Sequence, residues 1–168
     1  MSNSPFSGTG VAVITPFTSS LDVDYKSLRQ LIDYLIDSDI DYLVAMGTTA
    51  EPSTISAEEK KQIFDCFVET TANRVPLVMG LGGNNTAALV QSLQQLDFKG
   101  FSAILSVSPY YNRPTQEGIY RHYKALDEAT PLPLILYNVP GRTAANITAE
   151  TTLKIAHNCP IVIGIKEA

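Results

Sequence analysis

At 168 residues, 45% hydrophobic and 17% charged, the chain has globular composition, which excludes disorder, collagen-like repeats and a coiled coil. Its 12 basic and 17 acidic residues leave a net charge of −5, which opposes nucleic-acid backbones and anionic membranes as partners. Cys66 and Cys159 show no CxxC or Cys/His spacing, so neither a disulfide scaffold nor a structural zinc site is expected.

The start, MSNSPFSGTG, has no basic region and no long apolar run, unlike a signal peptide. No stretch approaches the roughly 18 apolar residues of a membrane span, so a soluble, cytoplasmic protein is expected. The first apolar run is 11–17 (VAVITPF), and Leu28, Leu31, Ile32 and Leu35 then recur at helical spacing. After the run 42–47 (YLVAMG), Ser56 and Glu59 form a capping box ahead of Ile63, Cys66 and Phe67. Runs at 75–80 (VPLVMG) and 102–107 (SAILSV) flank a stripe of Leu89, Leu93 and Leu96. A stripe of Ile119, Tyr123 and Leu126, with His122 as a packing histidine, precedes the run 133–139 (PLILYNV). Leu153 and Ala156 mark a last helix, ended by His157, before 161–165 (IVIGI).

Short, nearly continuous apolar runs alternating with amphipathic helices predict an α/β fold with a parallel sheet. The runs begin near residues 11, 42, 75, 102, 133 and 161. A period of about 30 residues fits a (β/α)8 barrel, which takes roughly 250 residues for eight units. A doubly wound sheet would place a Gly-rich turn after its first strand, where this chain has Thr15-Pro16-Phe17. The expected fold class is therefore a TIM (β/α)8 barrel, of which the chain covers about six of the eight strands. The expected organisation is one catalytic barrel domain over 1–168, cut after its sixth strand.

Barrel active sites form at the C-terminal ends of the strands, so the residues after each run are the candidates. Lys166 follows an apolar strand. A desolvated lysine there has a lowered pKa, and its neutral amine can attack a carbonyl to form a Schiff base. The plainer alternative is an ion pair with Glu167 or Glu51. Tyr137, in the preceding strand, offers a phenol that both gives and takes a proton, as imine formation requires. Thr48 and Tyr111 add two further hydroxyls, though each also fits a turn or packing role. Arg142 suits a bidentate carboxylate, or is a solvated surface arginine. The hydroxyl and amide of Thr49 fit a second carboxylate.

Four stretches, GTTAE at 47–51, SPYYNRPTQEG at 108–118, LYNVPGRT at 136–143 and GIKEA at 164–168, resemble the dihydrodipicolinate synthase family. The resemblance runs from Gly10 to Ala168. It implies a class I, Schiff-base-forming lyase on a (β/α)8 barrel, with no metal and no cofactor. Such an enzyme condenses pyruvate with aspartate 4-semialdehyde in lysine and diaminopimelate biosynthesis. Carried over by residue, Lys166 forms the imine and Tyr137 is the proton donor and acceptor beside it. Thr48 and Tyr111 complete the relay, Tyr111 reaching in from a neighbouring subunit of a homo-oligomer, a homotetramer or dimer. Thr49 binds the pyruvate carboxylate and Arg142 that of the semialdehyde. Sister class I aldolases, such as N-acetylneuraminate lyase or a keto-deoxy sugar acid aldolase, share the first step. A non-catalytic truncated fragment is a third reading, because the family's last two strands and C-terminal helical domain are not in this sequence.

The chain departs from the family at Ala50, where a glycine is usual, and at Pro52, where a small hydroxyl residue is usual. At the family's lysine-feedback pocket, Asn84 and Tyr110 match, but Pro52, Ala57 and Ala88 stand where sensitive members carry polar or charged groups. The resemblance therefore carries no expectation of feedback by lysine.

Overall fold

The computed structural model describes residues 6–168. They divide into two compact units, one running to Gly80 with Lys99–Ser102 added, the other made of Leu81–Phe98 and Ala103–Ala168.

The first unit contains strands β1 (Gly10–Ala12), β2 (Tyr42–Ala45) and β3 (Leu77–Gly80), with helices α1 (Tyr25–Asp37) and α2 (Ala57–Thr71). The strands pair in parallel in chain order, with Val11 opposite Leu43 and Leu43 opposite Leu77. Leu28 and Ile32 of α1 and Ile63 and Phe67 of α2 are buried with Leu43, Val78 and Met79, the periodicity the sequence showed. The predicted capping box forms: Ser56 N–H donates to Glu59 at 2.9 Å, and Glu59 N–H donates to the Ser56 hydroxyl at 3.2 Å. The bonds that the Glu59 carboxylate accepts from Ser56 N–H and the Ser56 hydroxyl hold it below its usual range.

The first strand is shorter than the predicted run 11–17. Its ladder covers Gly10–Ala12 and gains one more bond, Val13 N–H to Val44 O. Pro16 has no N–H to continue it. The Pro16 carbonyl instead accepts from Asp24 N–H, and Phe17 bridges Val23 in antiparallel fashion.

The second unit contains α3 (Thr86–Gln95), β4 (Ala103–Val107), α4 (Gln116–Ala129), β5 (Leu134–Asn138), α5 (Pro140–Thr143), α6 (Ala149–Asn158) and β6 (Val162–Glu167). Leu96, counted in the third stripe, lies one residue past α3. The four-residue α5 was not among the predicted elements, being too short to show a period. Pro140 presets its first turn. Ile119, Tyr123 and Leu126 of α4 are fully buried, and the Tyr123 hydroxyl donates to the Ser106 carbonyl at 2.9 Å. Burial pushes that phenol's pKa up. His122 packs as expected, with Nδ1 2.8 Å from the Thr86 hydroxyl. Desolvation lowers its pKa to about 4.

Strands β4, β5 and β6 also pair in parallel, in chain order. The β5–β6 ladder contains a bulge. Leu134 faces Val162 but Ile135 faces Gly164, so Ile163 is the extra residue. Bulges change which side chains share a face, and this one brings Tyr137 opposite Lys166 and Asn138 opposite Glu167. Among the described residues, no helix is long and apolar enough to cross a membrane.

Candidate active site

The second unit joins two of the expected residues. Tyr137 and Lys166 are register partners, and Val107 of β4 stands opposite Tyr137 on its other side. Lys166 Nζ lies 4.6 Å from the centroid of the Tyr137 ring, within cation–π range. The Tyr137 side chain is buried, and its carbonyl accepts from Ser108 N–H at 3.1 Å. The two strands thus present an amine and a phenol side by side from their C-terminal ends.

One expectation about this pair fails. Lys166 is exposed, not desolvated, because β6 pairs with β5 alone among the described residues. The ion pair offered as the plainer alternative does not engage Glu167 either: a Glu167 carboxylate oxygen accepts from Asn138 Nδ2 at 2.9 Å.

Arg142 is exposed in the last turn of α5, which leaves the C-terminal end of β5. The turn is tightly held. Arg142 and Thr143 N–H both donate to Val139 O, at 2.9 and 3.0 Å. Ala144 closes it in the left-handed region at φ 54°. The buried Thr143 hydroxyl sits 2.7 Å from Ala145 O. The guanidinium is therefore displayed from a short, fixed element.

Tyr111 occupies the loop between β4 and α4 and is 86% exposed. Its φ of 70° is left-handed, as is that of Arg113 at 49°. A non-glycine residue pays for that conformation, and such residues concentrate at functional sites. Asn112 steadies the loop: its N–H donates to Tyr110 O at 2.8 Å and its Nδ2 to Asn84 O at 3.3 Å. The structure turns the Tyr111 ring outward rather than into its own unit.

Thr48 and Thr49 belong to the first unit. They form a 3₁₀ turn with Ala50 directly after β2, and both are exposed. Ala50 N–H donates to Gly47 O at 2.9 Å, and Glu51, left-handed at φ 57°, donates to Thr48 O at 3.2 Å. The turn is anchored by a residue sequence reasoning missed: the buried Thr15 hydroxyl donates to Ala50 O at 2.9 Å. Gly80 contributes by absence, since a Cβ there would collide with the Met46 carbonyl. Pro52 does not disturb this geometry. Thr54 N–H closes a turn on Glu51 O at 3.0 Å, in which a proline at the second position is favoured.

Sequence reasoning also missed Asn138, which is 2% exposed. Its Nδ2 donates to Asn146 Oδ1 at 2.8 Å as well as to Glu167, and its Oδ1 accepts from Ile147 N–H at 3.0 Å. The available signal was an amide inside an otherwise apolar strand, next to Tyr137.

The family model described as "Dihydrodipicolinate synthetase family" matches residues 5–168. The chain belongs to that family. A 4-hydroxy-tetrahydrodipicolinate synthase from Flavobacterium psychrophilum is 53% identical over 163 residues, covering 97% of this chain and 56% of the relative. The solved structure of a chloride-inhibited dihydrodipicolinate synthase from Acinetobacter baumannii, complexed with pyruvate, matches with a TM-score of 0.91 at 43% identity. That match covers 96% of this chain and 55% of the other. A solved relative described as the first monomeric dihydrodipicolinate synthase variant matches with a TM-score of 0.92 at 38% identity, over 98% of this chain and 54% of that one. The chain thus spans about half the length of the curated relatives it matches. The expected fold class is borne out: six strands alternating with helices make the chain a partial TIM (β/α)8 barrel.

Proposed function

We propose that this chain is part of a 4-hydroxy-tetrahydrodipicolinate synthase, which condenses pyruvate with L-aspartate 4-semialdehyde in lysine and diaminopimelate biosynthesis. The observation that carries this reading is the Tyr137–Lys166 register pair, with the amine 4.6 Å from the ring centroid. It occurs in a member of a family whose relatives bear that name.

In this reading Lys166 Nζ, as the free amine, attacks the C2 carbonyl of pyruvate. The amine loses a proton and the carbonyl oxygen gains one, which gives the carbinolamine. Protonation of its hydroxyl and departure of water leave the imine. The Tyr137 phenol, able to donate and to accept, serves both transfers. Loss of a C3 proton gives an enamine, whose carbon bonds to the aldehyde carbon of the second substrate as the aldehyde oxygen takes a proton and the imine re-forms. The substrate amine then attacks the imine carbon and expels Lys166, which closes the ring and frees the lysine.

The remaining roles rest on the family resemblance. Thr49 takes the pyruvate carboxylate, and the Arg142 fork takes that of the semialdehyde. Thr48 and Tyr111 extend the proton relay. Tyr111 acts in a second copy of the chain in a homotetramer or dimer, a role its exposed, left-handed placement suits. Small soluble metabolites as substrates suit a cytoplasmic location, with neither nucleic acid nor membrane as partner.

Borohydride reduction in the presence of pyruvate tests the first step. A stable pyruvyl adduct mapping to Lys166, and lost in Lys166→Arg, is expected. Folded protein that yields no adduct, or an adduct on another lysine, overturns the proposal.

A further inference from the structure

The placement of Lys166 over Tyr137 depends on the bulge at Ile163. Before it the strands are offset by 28 residues (Leu134 to Val162); after it the offset is 29 (Tyr137 to Lys166). Without the bulge, Tyr137 would face Ile165 and Lys166 would face Asn138. The apolar pattern of β6 does little to choose between these frames, since Ile163 and Ile165 flank Gly164 and either frame offers isoleucine to β5. Register is weakly specified where the pattern is nearly continuous.

We propose that Asn138 and Glu167 are positioning residues that clamp β6 in its shifted register on β5 and so hold Lys166 opposite Tyr137. They occupy the register pair directly after Tyr137–Lys166, and successive side chains alternate between faces. The clamp therefore acts from the opposite face of the sheet and leaves the reacting face open. In the shifted frame, Asn138 Nδ2 meets a carboxylate at 2.9 Å. In the unshifted frame the same buried donor would face the Lys166 ammonium, donor against donor, which is strongly disfavoured.

The orientation of the Asn138 amide is fixed by its other partners, Asn146 Oδ1 at 2.8 Å and Ile147 N–H at 3.0 Å. Ala168 N–H adds a backbone bond to Asn138 O at 3.1 Å. The network reaches the segment between α5 and α6, where Gln116 grips from α4. Its Nε2 donates to Asn146 O at 2.7 Å and its Oε1 accepts from Thr148 N–H at 3.1 Å. One buried amide thus ties the strand that carries Lys166 to the segment that follows the Arg142 helix.

Only the catalytic consequence of the clamp rests on the proposed function. The test compares Glu167→Ala, Glu167→Gln and Asn138→Asp by two readouts. One is amide hydrogen exchange at Ile147 and along β6; the other is the rate of pyruvate trapping on Lys166. Glu167→Ala is expected to speed that exchange and slow trapping, each about tenfold, by leaving a buried donor unpaired. Glu167→Gln keeps an acceptor oxygen and restores both to near the parent values. Asn138→Asp sets two carboxylates against each other and is worse than Glu167→Ala. Exchange at Ile119, in the core of α4, stays unchanged and reports an intact fold.

Unaltered exchange in Glu167→Ala, or a Gln variant as impaired as the Ala variant, overturns the clamp. Faster exchange with undiminished trapping overturns its positioning role. If the parent chain traps no pyruvate, the proposed function fails, while the exchange measurements still decide the clamp.

Discussion

His122 makes the stability of this chain sensitive to mild acid. It is 2% exposed on α4, with Nδ1 bonded to Thr86 and Nε2 buried without a hydrogen-bond partner among the described residues. The unpartnered Nε2 selects the tautomer with the proton on Nδ1, since a bare acceptor costs less to bury than a bare N–H. Protonation would place a charged, unpaired N–H in that position. Its pKa accordingly falls from 6.5 to about 4 in the folded chain. The unfolded chain therefore takes up the proton first as pH drops. Stability from this group is fully present above pH 6.5 and is lost as pH falls from 6.5 towards 4. The gap corresponds to roughly 3 kcal/mol in full, and to about 2 kcal/mol lost by pH 5. The carboxylates of Asp24, Glu59, Glu117 and Glu150 are also lowered, from 3.8 for the aspartate and 4.5 for the glutamates, so their contributions are lost mainly below about pH 5. Urea unfolding at pH 7, 6 and 5, for the parent and for His122→Gln, measures the effect. The parent is expected to lose about 2 kcal/mol between pH 7 and 5, and the variant only a small fraction of that. A flat parent profile, or an equal slope in the variant, would refute the reasoning.

Two further substitutions probe the threonine turn of the first unit. Thr15→Val removes the buried bond to Ala50 O and is expected to cost about 1–2 kcal/mol in urea unfolding. Gly80→Ala places a methyl against the Met46 carbonyl and forces the backbone before Gly47 to shift. A loss of about 1–3 kcal/mol is expected, together with faster amide exchange at Ala50 and Glu51; exchange equal to the parent at both amides would show that the turn does not depend on that close approach.

The sequence by itself determined the repeat. Hydrophobic period and cap residues are local properties, so the βα alternation, the Ser56–Glu59 box and the buried stripes of α1 and α4 were all legible. The family motifs named the amine, the phenol and the polar residues after the strands. The predicted run 11–17 carried β1 past its end at Ala12, because the end of a strand depends on whether the next N–H finds a partner, and that is a non-local matter. Tertiary structure alone decided the relation between Tyr137 and Lys166. A single extra residue at Ile163 sets which side chains of β6 meet β5, and nothing in IVIGI marks where that residue falls. The same holds for Thr15, for the bonds of Asn138 and for the exposure of Lys166. Each depends on atoms distant in sequence, and a residue's identity states what it can bond or bury without stating what the folded chain will bring to it.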